Sequence, residues 1–132
     1  MTLIGAIRRI LADDSTLRAR VSGRIYESEL ATLVNPVLPC VNIKIVSSLA
    51  DPTVPEATRT DTLRVWCWSE ESFDDAREIA DLVIDRLNQN RYTESSLDLW
   101  FRLAGEPTDY FLEEPRFYCA IVDFGCRVLD RR

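Results

Sequence analysis

The sequence contains no histidine, a single lysine (Lys44) and only four glycines. The absence of histidine excludes Ser-His-Asp and Cys-His catalytic arrangements, and it removes the commonest general base and a common metal ligand. No two glycines lie close enough together to form a phosphate-binding loop. These absences leave little chemistry for an active site, so we expect a protein that is not an enzyme and has no catalytic residues.

The four cysteines show neither a metal-binding nor a disulfide pattern. Cys40, Cys67, Cys119 and Cys126 form no CxxC pair, whereas a cysteine-only zinc site needs closely spaced pairs. Each lies in a segment with the composition of a strand, where a half-buried cysteine behaves as a small hydrophobic residue. We therefore expect structural cysteines, no metal and no cofactor.

The charge balance is acidic, with 22 Asp and Glu against 16 Lys and Arg, and a net charge of −6. A nucleic-acid binder that is held by phosphate contacts needs a basic face, which this balance does not favour. No apolar run approaches the roughly 18 residues of a membrane span, and the N-terminus lacks the pattern of a signal peptide. The expectation is a protein that is made in the cytoplasm and does not enter a membrane.

Hydrophobic spacing predicts two main helices. Near the N-terminus, apolar residues recur every three or four positions over 3–11, and Thr2 is a suitable N-cap. A second apolar stripe runs over 73–87, and the preceding Ser72 begins a sequence that resembles a capping box. A shorter helical turn that is capped by Ser15 is predicted between the first helix and the strands.

Alternating apolar residues predict about four strands, at 40–46, 62–68, 97–107 and 116–129. Gly125 is interpreted as a β-bulge, and the segments 88–96 and 108–115 as connections. Strands that follow one another with one inserted helix are typical of the α+β class. We expect one domain over 1–132, with a mostly antiparallel sheet of about four strands and two main helices packed on it.

The stretch SSLADPTVPEATRTD at 47–61 predicts a long extended loop, because it has two prolines, no periodicity and few bulky apolar residues. A turn of about two to five residues would suffice to join neighbouring strands. We interpret the surplus as an arm that contacts a partner, with a tolerated insertion as the alternative. Leu49, Val54 and Arg59 are its candidate interface residues.

Trp66 and Trp68 are two residues apart and therefore share one face of their strand. The alternate residues, such as Val65, are expected to pack under the second main helix. The tryptophans then lie on the face away from that helix. There they contact a neighbouring subunit, fill an ordinary core or line a ligand pocket, and the sequence leaves these three interpretations open.

The order of these segments resembles a known family. The segments that carry the resemblance are the N-terminal helix, VSGRIYES at 21–28, LPCVNIKIV at 38–46, TLRVWCWSEESFDDAREIADLVIDRL at 62–87 and VDFGCRVL at 122–129. Together they resemble the tail-terminator or tail-completion (head–tail joining) proteins of long-tailed bacteriophages. The resemblance covers nearly the whole chain as an order of elements, and none of its motifs is catalytic.

The resemblance implies a structural virion protein that forms a hexameric ring. Such a ring caps the tail tube, ends its polymerisation and provides the surface for head–tail joining. The implied partners are other copies of the chain, the tail tube protein and the head–tail connector or neck protein, while DNA passes through the lumen without specific binding. The implied location is the head–tail junction of the virion, after synthesis in the host cytoplasm. The alternatives are a neck or connector adaptor of the same virion and a non-viral interaction module.

Overall fold

The computed structural model describes residues 2–27, 36–50, 58–113 and 116–131. The helices in this part of the chain are α1 (Leu3–Ala12), α2 (Ser15–Arg20) and α3 (Phe73–Leu87). The strands are β1 (Ile25–Tyr26), β2 (Cys40–Ala50), β3 (Thr58–Ser69), β4 (Arg91–Glu94), β5 (Leu97–Leu103), β6 (Thr108–Leu112) and β7 (Phe117–Asp130). The predicted α+β class is confirmed, but the expected count of about four strands is wrong because the sheet has seven.

Capping residues set the starts of the first two helices. The Thr2 hydroxyl accepts a hydrogen bond from the Gly5 amide at 3.1 Å, as predicted for α1. The cap of α2 is Asp14 rather than the predicted Ser15, since its carboxylate accepts from the amides of Thr16 and Leu17 at 3.0 and 3.1 Å. A carboxylate satisfies two free amides at once and also interacts favourably with the helix dipole.

Helix α3 begins where the sequence predicts it. The Ser72 hydroxyl accepts from the Asp75 amide at 3.0 Å, and Asp74 and Asp75 occupy the first turn, where carboxylates interact favourably with the helix dipole. The buried face consists of Ala76, Ile79, Ala80, Val83 and Leu87. This stripe packs on the sheet and anchors the helix layer.

The sheet runs in the order β1-β2-β3-β7-β5-β4, with β6 also pairing with β7. β1 and β2 are parallel, and every other described pair is antiparallel. β3 pairs along one edge of β7, while β6 and β5 share its other edge. The 14-residue strand β7 therefore forms the centre of the sheet.

Two segments that we interpreted as connections contain strands. Residues 88–96 include β4, and residues 108–115 include β6. Both strands are short and largely exposed, and they pair through the backbone without a long alternation of buried apolar residues. Edge strands commonly have this composition, which explains why the hydrophobic pattern missed them.

The predicted bulge at Gly125 is also wrong. Pairing between β3 and β7 continues in one register past Gly125, which lies opposite Thr62. The irregularity instead lies in β2, between Ile45 and Ser47, and the intervening Val46 is exposed. The extra residue thus lies in β2, which β3 separates from β7.

The predicted loop at 47–61 is shorter than expected within the described residues. After the irregularity, β2 continues to Ala50 and β3 begins at Thr58, so that Ala50 lies opposite Arg59. The polar ends of this hairpin are joined by the Ser48 hydroxyl, which donates to the buried Asp61 carboxylate. Residues 51–57 lie outside the described residues.

Candidate subunit interface on the sheet

The helices in the described ranges pack on one face of the sheet. Val41, Val65 and Val122 are buried on that face, within the same core cluster as the buried residues of α1, α2 and α3. The opposite face, which we call the open face, includes the cross-strand row Asn42, Trp66 and Ile121. The expectation that Val65 packs on the helix side and the tryptophans on the other is confirmed.

The two tryptophans occupy different environments on the open face. Trp68 is only 5% exposed and packs with Leu38, Cys40 and Cys119 in a small second core. Its ring lies 6.1 Å from the Tyr110 ring and 6.5 Å from the Phe117 ring, in edge-to-face arrangements. Its indole Nε1 has no hydrogen-bond partner among the described residues.

Trp66 lies at the edge of this second core and is half-buried. The Cζ atom of Arg64 lies 6.0 Å from its ring centroid, at the outer limit of a cation–π contact. Packing thus accounts for much of the Trp68 surface, whereas part of Trp66 remains available for contact. A role for either tryptophan in a subunit interface stays a prediction.

The other candidate interface residues are Leu49, Val54 and Arg59. Leu49 lies in β2 opposite Thr60, and Val54 lies outside the described residues. Arg59 lies in β3 with its Nε 3.1 Å from the Asp61 carboxylate. Arg59 is an odd number of positions from Trp66, so the alternation of the strand directs these two side chains to opposite faces.

A group of basic residues occupies the open face beside the tryptophans. We call this group the basic patch; its members are Lys44, Arg64, Arg91, Arg102 and Arg127. The register places Lys44 beside Arg64, and Arg127 beside Trp100, which in turn lies beside Arg91. Among the described strand positions on the same face, the acidic residues are Asp98 and Asp123. The patch therefore reverses the charge balance of the whole chain.

Ion pairs hold part of the basic patch in place. Arg64 binds both oxygens of Asp123, with its Nε at 2.8 Å and its Nη2 at 3.1 Å, and this hydrogen bonding raises the pKa of Arg64. Arg91 lies 4.4 Å from the Trp100 ring centroid and 3.4 Å from the Asp98 carboxylate.

The charged form of Asp98 is also stabilised by its neighbours, as that of Arg64 is. A hydrogen bond from Thr93 at 2.8 Å and the nearby charges of Arg131 and Arg91 lower its pKa.

Sequence reasoning missed the basic patch because its members come from five strands that lie far apart in the sequence. Each strand does carry a signal, since Lys44, Arg64 and Arg127 occupy the polar positions of alternating segments. The patch appears only when the register places these positions side by side.

Comparisons with known proteins identify the family. Residues 5–129 match the family described as tail completion protein gp17. The chain belongs to this tail completion family. The resemblance found in the sequence is therefore confirmed, and it supports a structural protein of a phage-like tail.

A solved structure shows the same fold as this tail completion family member. It is a chain from the "Virion of native gene transfer agent (GTA) particle", with a TM-score of 0.74 and 18% sequence identity. The match covers 96% of this chain and 94% of that chain. At this level of identity, the similarity shows the fold alone. No curated protein sequence matched the chain.

The cysteines of this tail completion family member lie in its interior. The four cysteines are buried free thiols, and burial raises the pKa of both Cys40 and Cys126 to about 12. No group of three or more potential metal ligands occurs among the described residues. No helix in the described ranges has the length and apolar character to span a membrane.

Proposed function

We propose that the chain forms a ring at the end of the tail tube, where the tail meets the head. The observation that carries this proposal is the family match over residues 5–129. In this role, the ring caps the tube, ends its polymerisation and provides the surface for head–tail joining. Its location is the head–tail junction of the virion, after synthesis in the host cytoplasm.

The ring is a closed homo-oligomer, for which we propose six subunits on the basis of the family resemblance. A ring requires two different surfaces on each subunit, because each copy contacts its neighbours head to tail. The helix layer and the open face are two such surfaces, since they lie on opposite sides of the sheet. The half-buried Trp66 at the edge of the open face is a candidate for the neighbour's contact.

The remaining partners are the tail tube protein on one side of the ring and the head–tail connector or neck protein on the other. DNA passes through the lumen and is not bound specifically. The net charge of −6 supports this, because a negative surface repels phosphates and allows the duplex to slide. The role is structural, so it requires neither catalysis nor a cofactor.

Electron microscopy of particles made with and without this chain tests the proposal. We expect a ring of density at the tail–head junction in complete particles, and abnormal tails or unjoined heads in its absence. Quantitative mass spectrometry should give about six copies per particle. Particles that lack this chain at the junction would refute the ring, whereas density on the head side of the neck would favour the adaptor function.

A matched pair of variants separates a loss of assembly from a loss of folding. Val83→Asp should fail to complement because its helix face is buried, whereas Asp85→Ala, on the exposed face of the same helix, should fold normally. Normal joining of heads and tails with the unfolded Val83→Asp variant would show that the junction does not need this protein.

A further inference from the structure

The glycine at position 125 is required neither by a β-bulge nor by a positive φ. It lies in the middle of β7, paired with Thr62 on one side and Arg102 on the other. A Cβ atom there would meet only the Arg102 carbonyl oxygen, at 3.9 Å, which is an ordinary contact. Glycine weakens a strand interior, and without a bulge it commonly marks the close approach of another backbone or a ligand.

Unpaired positive charge surrounds Gly125. Arg102 lies beside it on β5, and Arg127 follows two positions later on β7. Both side chains are exposed, and neither has an ion pair among the described residues. Neighbouring like charges on a sheet destabilise it slightly. A negatively charged partner that packs against Gly125 would offset both the weakening of the strand by glycine and the repulsion between the two arginines.

The outward face of α3 has the complementary charge. Asp74, Glu78, Asp81 and Asp85 follow one another at intervals of four, three and four residues, and all are exposed. Like charges four residues apart destabilise a helix, and Asp85 also lies in the last turn, where the helix dipole disfavours an anion. Asp81 and Asp85 have no ion pair in the described part of the chain, so the fold of the single subunit gains nothing from them.

We infer that the open face around Gly125 docks the acidic face of α3 from a second copy of this chain. The four acids span about 16 Å along the helix. From Lys44 on β2 to Arg102 on β5, the patch crosses three strand spacings, about 14 Å. Gly125 allows the helix to approach the sheet closely. The helix layer of one copy then contacts the open face of the next, which is the head-to-tail contact of the proposed ring, on which this inference rests.

Charge reversal of the purified chain tests this contact. Sedimentation velocity at about 10–500 µM and low salt should show self-association of the parent, weakened by added salt. The variants Arg102→Glu with Arg127→Glu, and Asp81→Arg with Asp85→Arg, should each weaken association about tenfold or more. The combined variant, with all four substitutions, should restore it to within about threefold of the parent.

Restoration can arise only between copies, because the two sets of residues lie on opposite sides of one subunit. A parent chain that stays monomeric at the highest concentration, or a combined variant that does not recover, overturns the inference. Gly125→Thr provides a variant with unchanged charge. It should retain or slightly raise the parent Tm, because its Cβ makes only an ordinary contact of 3.9 Å with the Arg102 carbonyl oxygen, yet lose association.

DNA is the competing occupant of a basic surface. The same variants are titrated with a labelled 20-base-pair duplex of random sequence at low salt. If Arg102→Glu with Arg127→Glu abolishes duplex binding while leaving self-association unchanged, the basic patch binds DNA and the inference is wrong. Failure of the proposed function gives a different result from failure of this inference. If only the proposed function is wrong, the chain still associates through these residues but is absent from the head–tail junction of particles.

Discussion

Arg20, at the end of α2, donates a hydrogen bond to the Asp75 carboxylate in the first turn of α3. The hydroxyl of Ser69, the last residue of β3, donates to the other oxygen of the same carboxylate at 2.5 Å. Asp75 thus joins three elements that the sequence separates by up to 55 positions. It fixes the position of the shorter helix against the longer one.

The pH dependence of the free energy of unfolding should reveal the contribution of these Asp75 contacts. Burial raises the pKa of Asp75, but the hydrogen bonds from Ser69 and Arg20 outweigh it, so the net pKa is lowered. The stabilisation is therefore complete above the unfolded pKa of about 3.9, and it is lost as pH falls through the lower folded value. Asp75→Asn should lower the free energy of unfolding by about 1–2 kcal/mol at pH 7, and this difference from the parent should shrink below about pH 4.

Urea unfolding at pH 7, 5 and 3 measures this effect. Asp74→Asn is the matched control, because Asp74 lies in the same turn, is exposed and has no hydrogen-bonded partner in the described residues. The control should lose only the dipole contribution, about 0.3–1 kcal/mol. Equal loss in the two variants at pH 7 would contradict a specific role for Asp75.

The buried face of α3 should not tolerate charge. Val83 and Leu87 are fully buried, so Val83→Asp and Leu87→Asp each place an unpaired carboxylate in the core. The cost is several kcal/mol against a total stability of about 5–15 kcal/mol, and both variants should unfold.

Circular dichroism and thermal unfolding test this together with two controls. Asp85→Ala should be as stable as the parent or slightly more stable, since Asp85 is exposed and lies where the helix dipole disfavours an anion. Arg77→Ala should lose about 1 kcal/mol or less, because its ion pair with Asp109 is exposed on both sides. A Val83→Asp variant that melts with the parent would show that α3 buries a different face.

The cysteines should be unreactive in the folded protein. All four are buried, and desolvation raises their pKa values, so the nucleophilic thiolate is scarce at neutral pH. Ellman's reagent at pH 8 should modify none within minutes, and four in denaturant. Rapid modification of any thiol without denaturant would indicate local opening of the sheet.

The long elements could be predicted because each carries a complete local pattern. Helix α3 has a cap, an apolar stripe and acids in its first turn, and β3 alternates over its second half. The short strands β1, β4 and β6 have no such pattern, since pairing with a neighbour creates them. The residues of a short strand do not indicate which other strand it will pair with.

The candidate site was less predictable for the same reason. Trp66 and Trp68 could be placed on one face, but the contacts that bury Trp68 come from Tyr110 and Phe117, on β6 and β7. Likewise, the basic patch depends on the register between β2, β3, β7 and β5, which unites residues as far apart as Lys44 and Arg127.

The segment between β2 and β3 remains a candidate for contact with a partner. Its composition contributes little to a core, with two prolines among residues 51–57. Replacing 51–57 with a Gly/Ser linker of equal length should change the Tm by no more than about 2 °C while reducing incorporation into tails. A variant that assembles as well as the parent would show that the segment only connects β2 and β3.

The central position of β7 imposes an order on synthesis and folding. Strands β3, β5 and β6 all pair with residues 117–130, so none of them gains its inner neighbour until the ribosome has completed that segment. A chain that is truncated before β7 lacks the middle of the sheet rather than an edge. Premature termination would therefore yield a polypeptide in which β3 and β5 have no strand between them and the sheet is divided in two.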